Sequence, residues 1–180
     1  DEGGSIGALA DKKLVRVLSI LVFPEIALIM HTTTSLSSFA IAEGVDMSYL
    51  GMSSSITAGL AAVCSALILP ALVLKGWSDA DLLRLGLLSF VLVSATMYSG
   101  STQFLSAGNA VLYSSFPMAV VASVLRAIPP AIISKVAGPT VQGGAMGFLD
   151  LMSSTCRVFA PLLCGLLVDM VGNTAPFVAQ

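Results

Sequence analysis

The 180-residue chain is 56% hydrophobic, carries ten acidic and eight basic residues, and has a net charge of −2. Its mean hydropathy is +0.96. Soluble domains carry charge at about a quarter of their positions, so the 10% found here excludes an ordinary soluble domain. No basic patch suggests a nucleic-acid partner. The reading is an all-α membrane protein, a helical bundle whose solvent is the lipid bilayer.

The chain opens with D-E-G-G-S-I-G, which is no signal peptide; residues 1–11 read as a cytoplasmic linker or tail. From residue 12 on, the sequence reads as a transmembrane bundle. A helix needs about 20 mostly apolar residues to cross a bilayer. The first span is about 14–35, interrupted by Glu25 and His31, and the second is 47–74, with no charged residue after Met47. Residues 85–125 are also uncharged but too long for one crossing. The polar stretch S-G-S-T-Q-F-L-S-A-G-N at 99–109 divides them, giving spans at about 81–101 and 109–134. The fifth span is about 145–170. A-P-F-V-A-Q opens a sixth at 176–180 and then stops, so the expectation is a fragment cut at both ends. The spans are helices, because an open sheet could not satisfy its backbone in lipid.

Six of the eight basic residues mark one side. Lys12, Lys13 and Arg16 precede span one, Lys75 and Arg84 flank the link from span two to span three, and Lys135 separates spans four and five. In an up-and-down order these places share a side, and the intervening loops contain no Lys or Arg. By the positive-inside rule that side is cytoplasmic.

Arg126 and Arg157 remain, both within apolar runs. At about 1.5 Å per residue, Arg126 lies roughly 13 Å into span four and Asp150 about 12 Å into span five. Glu25 lies about 18 Å into span one and Arg157 about 22 Å into span five. Asp150 and Arg157 are i, i+7 and share a helix face. Buried ionisable groups in membranes face a bundle interior or an aqueous cavity, and mark substrate or proton paths. Glu25, Arg126, Arg157 and Asp150 are therefore the candidates for substrate or proton binding. The competing reading makes Arg126 and Asp150 a fixed pair that staples two helices. His31, nearer the outer end, reads as an interfacial or helix-packing histidine.

Cys64, Cys156 and Cys164 fall in apolar stretches without metal-ligand spacing, so they read as unpaired packing residues. Neither a metal nor a cofactor is implied. No P-loop, HExxH or GxSxG motif is present, which argues against an enzyme. Pro24, Pro70, Pro117, Pro129, Pro130 and Pro161 fall within predicted helices and should bend them. Gly143 and Gly147 have GxxxG spacing, and Gly51, Ser55 and Gly59 form a ladder of small residues suited to close helix packing.

The segment S-K-V-A-G-P-T-V-Q-G-G-A-M-G-F-L-D-L-M-S-S-T-C-R-V-F-A-P-L-L-C-G-L-L-V-D-M-V-G-N-T-A-P-F (134–177) resembles the tenth-to-twelfth helix region of the major facilitator superfamily, in its drug:proton antiporter-like branch. Gln142, Gly143, Gly147, Arg157, Pro161, Gly165, Asp169, Gly172, Pro176 and Phe177 fill the places of the pattern. In L-K-G-W-S-D-A-D-L-L-R-L-G, Lys75, Gly76, Arg84 and Gly86 loosely resemble the family's loop motif, without its Asp-Arg-x-Gly core. The resemblance implies five helices of the six-helix C-terminal half of a major facilitator fold, whose partner is the missing N-terminal half of the same chain. It further implies a secondary transporter working by alternating access. Spans one and four would line its cavity, which favours Glu25 and Arg126 for substrate or proton contact. Arg157 and Asp150 would lie at the interface that opens and closes, with Gly143, Gly147, Pro161 and Gly165 as packing or gating positions.

Two functions follow as expectations. One is transport of small organic solutes, coupled to protons or another ion. The other is a non-transporting scaffold or sensor on the same fold, whose mark would be charges consumed in fixed pairs and no continuous cavity. A channel finds no repeating polar stripe.

Overall fold

The computed structural model describes residues 12–137 and 141–171. Among them 91% are helical and none is in a strand. The helices form successive rods. The first consists of Lys12–Met30, a π-helical turn His31–Ser35, and Leu36–Ala42. The second is Met47–Val63, a π-helical turn Cys64–Ile68, and Leu69–Leu74. The third, fourth and fifth are Asp79–Ser101, Ala107–Ala137 and Gln142–Val171. Among the described residues four helices are long and apolar enough to cross a membrane: Met47–Leu74, Asp79–Ser101, Ala107–Ala137 and Gln142–Met170.

All the rods but the second run beyond the ends expected from sequence, the first to Ala42. That added stretch, Leu36–Ala42, is mostly apolar and buries Phe39 and Ala40. Thr32 Oγ1 donates to Leu28 O at 2.9 Å, and Ser35 Oγ donates to Met30 O at 3.0 Å, across the π turn. The third rod starts at Asp79 because Ser78 and Asp81 form a capping box, which satisfies two otherwise free N–H groups. The turn between the third and fourth rods shortens to 102–106. The π turn at Cys64–Ile68 directly precedes Pro70, whose missing N–H breaks the regular ladder. The proposed linker at 1–11 and the start of a sixth helix at 176–180 lie outside the described residues.

Packing fixes the direction of the rods. Leu18 and Leu21 of the first meet Ile133 of the fourth and Ala145 of the fifth, with Leu83 of the third beside them. At the far end, Phe39 of the first, Met97 of the third and Val111 of the fourth form another cluster, joined by Leu50 of the second. Successive rods therefore alternate in direction. The basic stretches gather at the Leu18 end, where Lys135 Nζ lies 2.6 Å from Asp79 Oδ2. That agrees with the charge asymmetry read from sequence.

The fourth rod is the core helix, with 56% of its most apolar window buried against 11% for the second. Where it crosses the third, glycine is required. A Cβ on Gly100 would sit 2.5 Å from Ala110 Cβ, and one on Gly86 would sit 2.9 Å from Val124 Cγ1. The outer surface is aliphatic instead: Leu67, Leu88, Val91, Val158, Leu162 and Leu166 expose 58–66% of their area. An apolar surface of that extent suits lipid or another apolar partner, not water.

Candidate functional site

The four ionisable residues singled out from sequence all line one cavity of about 420 Å³. Glu25 comes from the first rod, Arg126 from the fourth, and Asp150 and Arg157 from the fifth. The volume lies within the range of about 300–1,000 Å³ usual for small-molecule sites. The first, fourth and fifth rods contribute these four residues to its wall, and Thr57 of the second rod also lines it.

Helical spacing explains the convergence. Asp150, Ser153 and Arg157 stand at i, i+3 and i+7, on one face of the fifth rod. That rod packs alongside the first, where Ile29 and Met30 meet Cys156, Ala160 and Cys164. Glu25 is thereby brought to Ser153, whose Oγ donates to Glu25 Oε1 at 2.7 Å. Sequence reasoning passed over Ser153. Its position between Asp150 and Arg157 was the available signal.

Pro129 and Pro130 follow Arg126 on the fourth rod and also line the cavity. Neither has an N–H, so the carbonyls of Leu125 and Arg126 lose their usual donors four residues on. Bare carbonyls next to a cavity can be satisfied by water or solute.

The ion pair between Arg126 and Asp150 that the competing reading requires does not form. The ion pairs found among the described residues are Arg84 with Asp81 at 3.1 Å and Lys135 with Asp79 at 2.6 Å, both at the basic end. Arg126 and Asp150 share the cavity without coming within 4.0 Å of each other, as do Glu25 and Arg157. The stapling reading therefore lacks its contact.

A second cavity, about 230 Å³, adjoins the first and shares Thr32, Thr57, Met118, Ala122 and Arg126 with it. Its wall is rich in hydroxyls, including Ser53, Ser54, Ser114 and Ser115. Ser53 Oγ and Ser115 Oγ lie 2.6 Å apart, tying the second rod to the fourth. His31 is buried, 1% exposed, rather than interfacial. Its ring meets Phe90 edge-on, with centroids 6.1 Å apart.

The candidate glycines make no close crossing among the described residues. A Cβ on Gly143, Gly147 or Gly165 would meet nothing within 4 Å, and the same holds for Gly51 and Gly59. The close crossings lie at Gly86 and Gly100 instead. Pro161 sits within the fifth rod, next to the buried Ala160. Among the described residues no group of three or more His, Cys, Asp or Glu is placed to hold a metal, and the three cysteines are unpaired and buried.

The fold and site thus define an all-helical bundle with membrane-length apolar helices around a charged, hydroxyl-lined cavity. No family model, curated protein or solved structure matches the chain.

Proposed function

We propose that the chain is the C-terminal part of a multi-pass secondary transporter of small organic solutes, of the major facilitator type. In this reading the first rod is a fifth membrane span, and the basic end is cytoplasmic. The solute binds in the paired cavities, and an N-terminal half completes the path. Rocking of the two halves gives alternating access. Coupling is to protons or another ion, as in an antiporter, with Glu25 as the carboxylate that exchanges the ion.

One observation carries the reading. Arg126, Arg157, Asp150 and Glu25 converge on a cavity of about 420 Å³ without forming ion pairs with one another. A charge at the bilayer centre costs about 2.5–3.5 kcal/mol on insertion scales, so unpaired charges are retained where they face water or a solute. The alternative is a non-transporting scaffold or sensor, whose mark would be charges consumed in fixed pairs and no continuous cavity.

The test is solute exchange by the full-length protein in proteoliposomes. Glu25→Gln should abolish dependence on the ion gradient, and Arg126→Ala should lower exchange at least tenfold. Exchange and coupling unchanged in both variants would remove the site assignments. No flux of any solute in the parent protein would remove the transporter reading.

A further inference from the structure

The two cavities differ in charge, and the difference points to a class of solute. Both acidic candidates, Glu25 and Asp150, lie on the larger cavity. The smaller one has no acidic residue on its wall, only Arg126 among charged Asp, Glu, Lys and Arg side chains. Arg126 makes no hydrogen bond or ion pair with another described residue. A guanidinium presents five donors in a planar fork that matches a carboxylate.

The hydroxyls opposite are also open. In a helix, Ser and Thr commonly turn back to the carbonyl four residues earlier. Ser55 does so, donating to Gly51 O at 2.9 Å. Ser54 and Thr57, which line the smaller cavity, make no such bond within the described protein. Arg126, Ser54 and Thr57 thus line one space of about 230 Å³. At ~30 Å³ per water that is room for roughly eight water-sized groups.

Building on the transporter reading, we propose that the smaller cavity binds the carboxylate of a small organic acid. The carboxylate accepts from the Arg126 guanidinium, with Ser54 and Thr57 donating to its remaining oxygen lone pairs. The larger cavity receives the rest of the molecule.

The experiment is equilibrium binding to the full-length protein in detergent, run beside flux in proteoliposomes. The probes are benzoate and lactate, each with its matched alcohol, benzyl alcohol and propane-1,2-diol, and with benzylamine as a cation. At least one carboxylate should bind ten times more tightly than its alcohol. Arg126→Gln should weaken it by about 10- to 100-fold, the worth of a hydrogen bond to a charged group. Arg126→Lys should recover part of the loss. Thr57→Val, which keeps the charge and nearly the volume, should cost several-fold and confirms the site should Arg126→Gln fold poorly. Equal binding of acids and alcohols, or carboxylate binding indifferent to both Arg126→Gln and Thr57→Val, overturns the proposal. Arg126-dependent binding without flux leaves the anion site standing and removes the transporter reading. Flux of benzylamine or of an alcohol without carboxylate binding does the reverse.

Discussion

Gly100→Ala tests the crossing that sets the fourth rod, and with it Arg126, against the third. The added methyl would lie 2.5 Å from Ala110 Cβ and 3.2 Å from Phe39 Cζ. Ala110 has no rotamer to change, so relief requires the two backbones to separate. Overpacking of this kind costs about 1–3 kcal/mol, and a contact this short belongs in the upper half of that range. Replacing glycine by alanine within a helix returns about 1 kcal/mol. The net expectation is a destabilisation of about 1–2 kcal/mol, read by thermal or denaturant unfolding in detergent micelles. The reciprocal change isolates the cause: in Gly100→Ala with Ala110→Gly, the methyl has merely moved across the interface. The double variant should recover most of the loss. A Gly100→Ala protein as stable as its parent, or a double variant no better than the single, would refute the crossing.

Other expectations follow from the same packing. Ser153→Ala removes the donor to Glu25 Oε1. Because that carboxylate lies on a cavity wall where water can replace the hydroxyl, the loss should be about 1 kcal/mol, below the ~1.5–3 of a bond to a charged group. Calorimetric unfolding checks it. Val91→Arg places a charge on the aliphatic surface, where Val91 is 64% exposed. It should impair membrane insertion of residues 79–101 by about 2.5–3.5 kcal/mol, read with a glycosylation reporter. Asp46 caps the second rod, accepting from Ser48 N at 2.9 Å, and the Ser48 backbone N–H holds its carboxyl below the ordinary value. The cap's contribution is therefore full above the unfolded carboxyl's pKa and fades as pH falls through the lowered native one. Asp46→Asn should flatten that part of the acid limb of a stability–pH curve.

The helices were legible because apolar runs of membrane-spanning length stand out in hydropathy and are divided by short polar stretches. Lys75, Arg84 and Lys135 lie at the junctions that the structure gathers at one end. The convergence of Glu25, Arg126, Asp150 and Arg157 was legible as depth, since a fixed rise per residue turns position into height. Their lateral relation was not, because hydropathy does not say which faces meet. Hence sequence left both a fixed pair and a shared cavity open, and the structure has the shared cavity. Small residues leave the same question open. Gly143 and Gly147 permit a close approach, but only a facing helix makes one, and within the described residues that helix faces Gly86 and Gly100. Ser153, Ser54 and Thr57 carry no charge or periodicity that distinguishes them from serines and threonines bonded to their own helices.

The central claim is that the charged cavity wall, on which Arg126, Asp150 and Arg157 are exposed in this chain, faces water or solute rather than lipid. Its most direct test is thiol accessibility in the membrane-embedded protein, with Cys64, Cys156 and Cys164 replaced by alanine. Thr57→Cys, on the wall shared by both cavities, should react with a hydrophilic, charged thiol reagent, and benzoate or another bound solute should slow it. Val91→Cys, on the aliphatic surface, should not react. Labelling at Val91→Cys and none at Thr57→Cys would contradict the account.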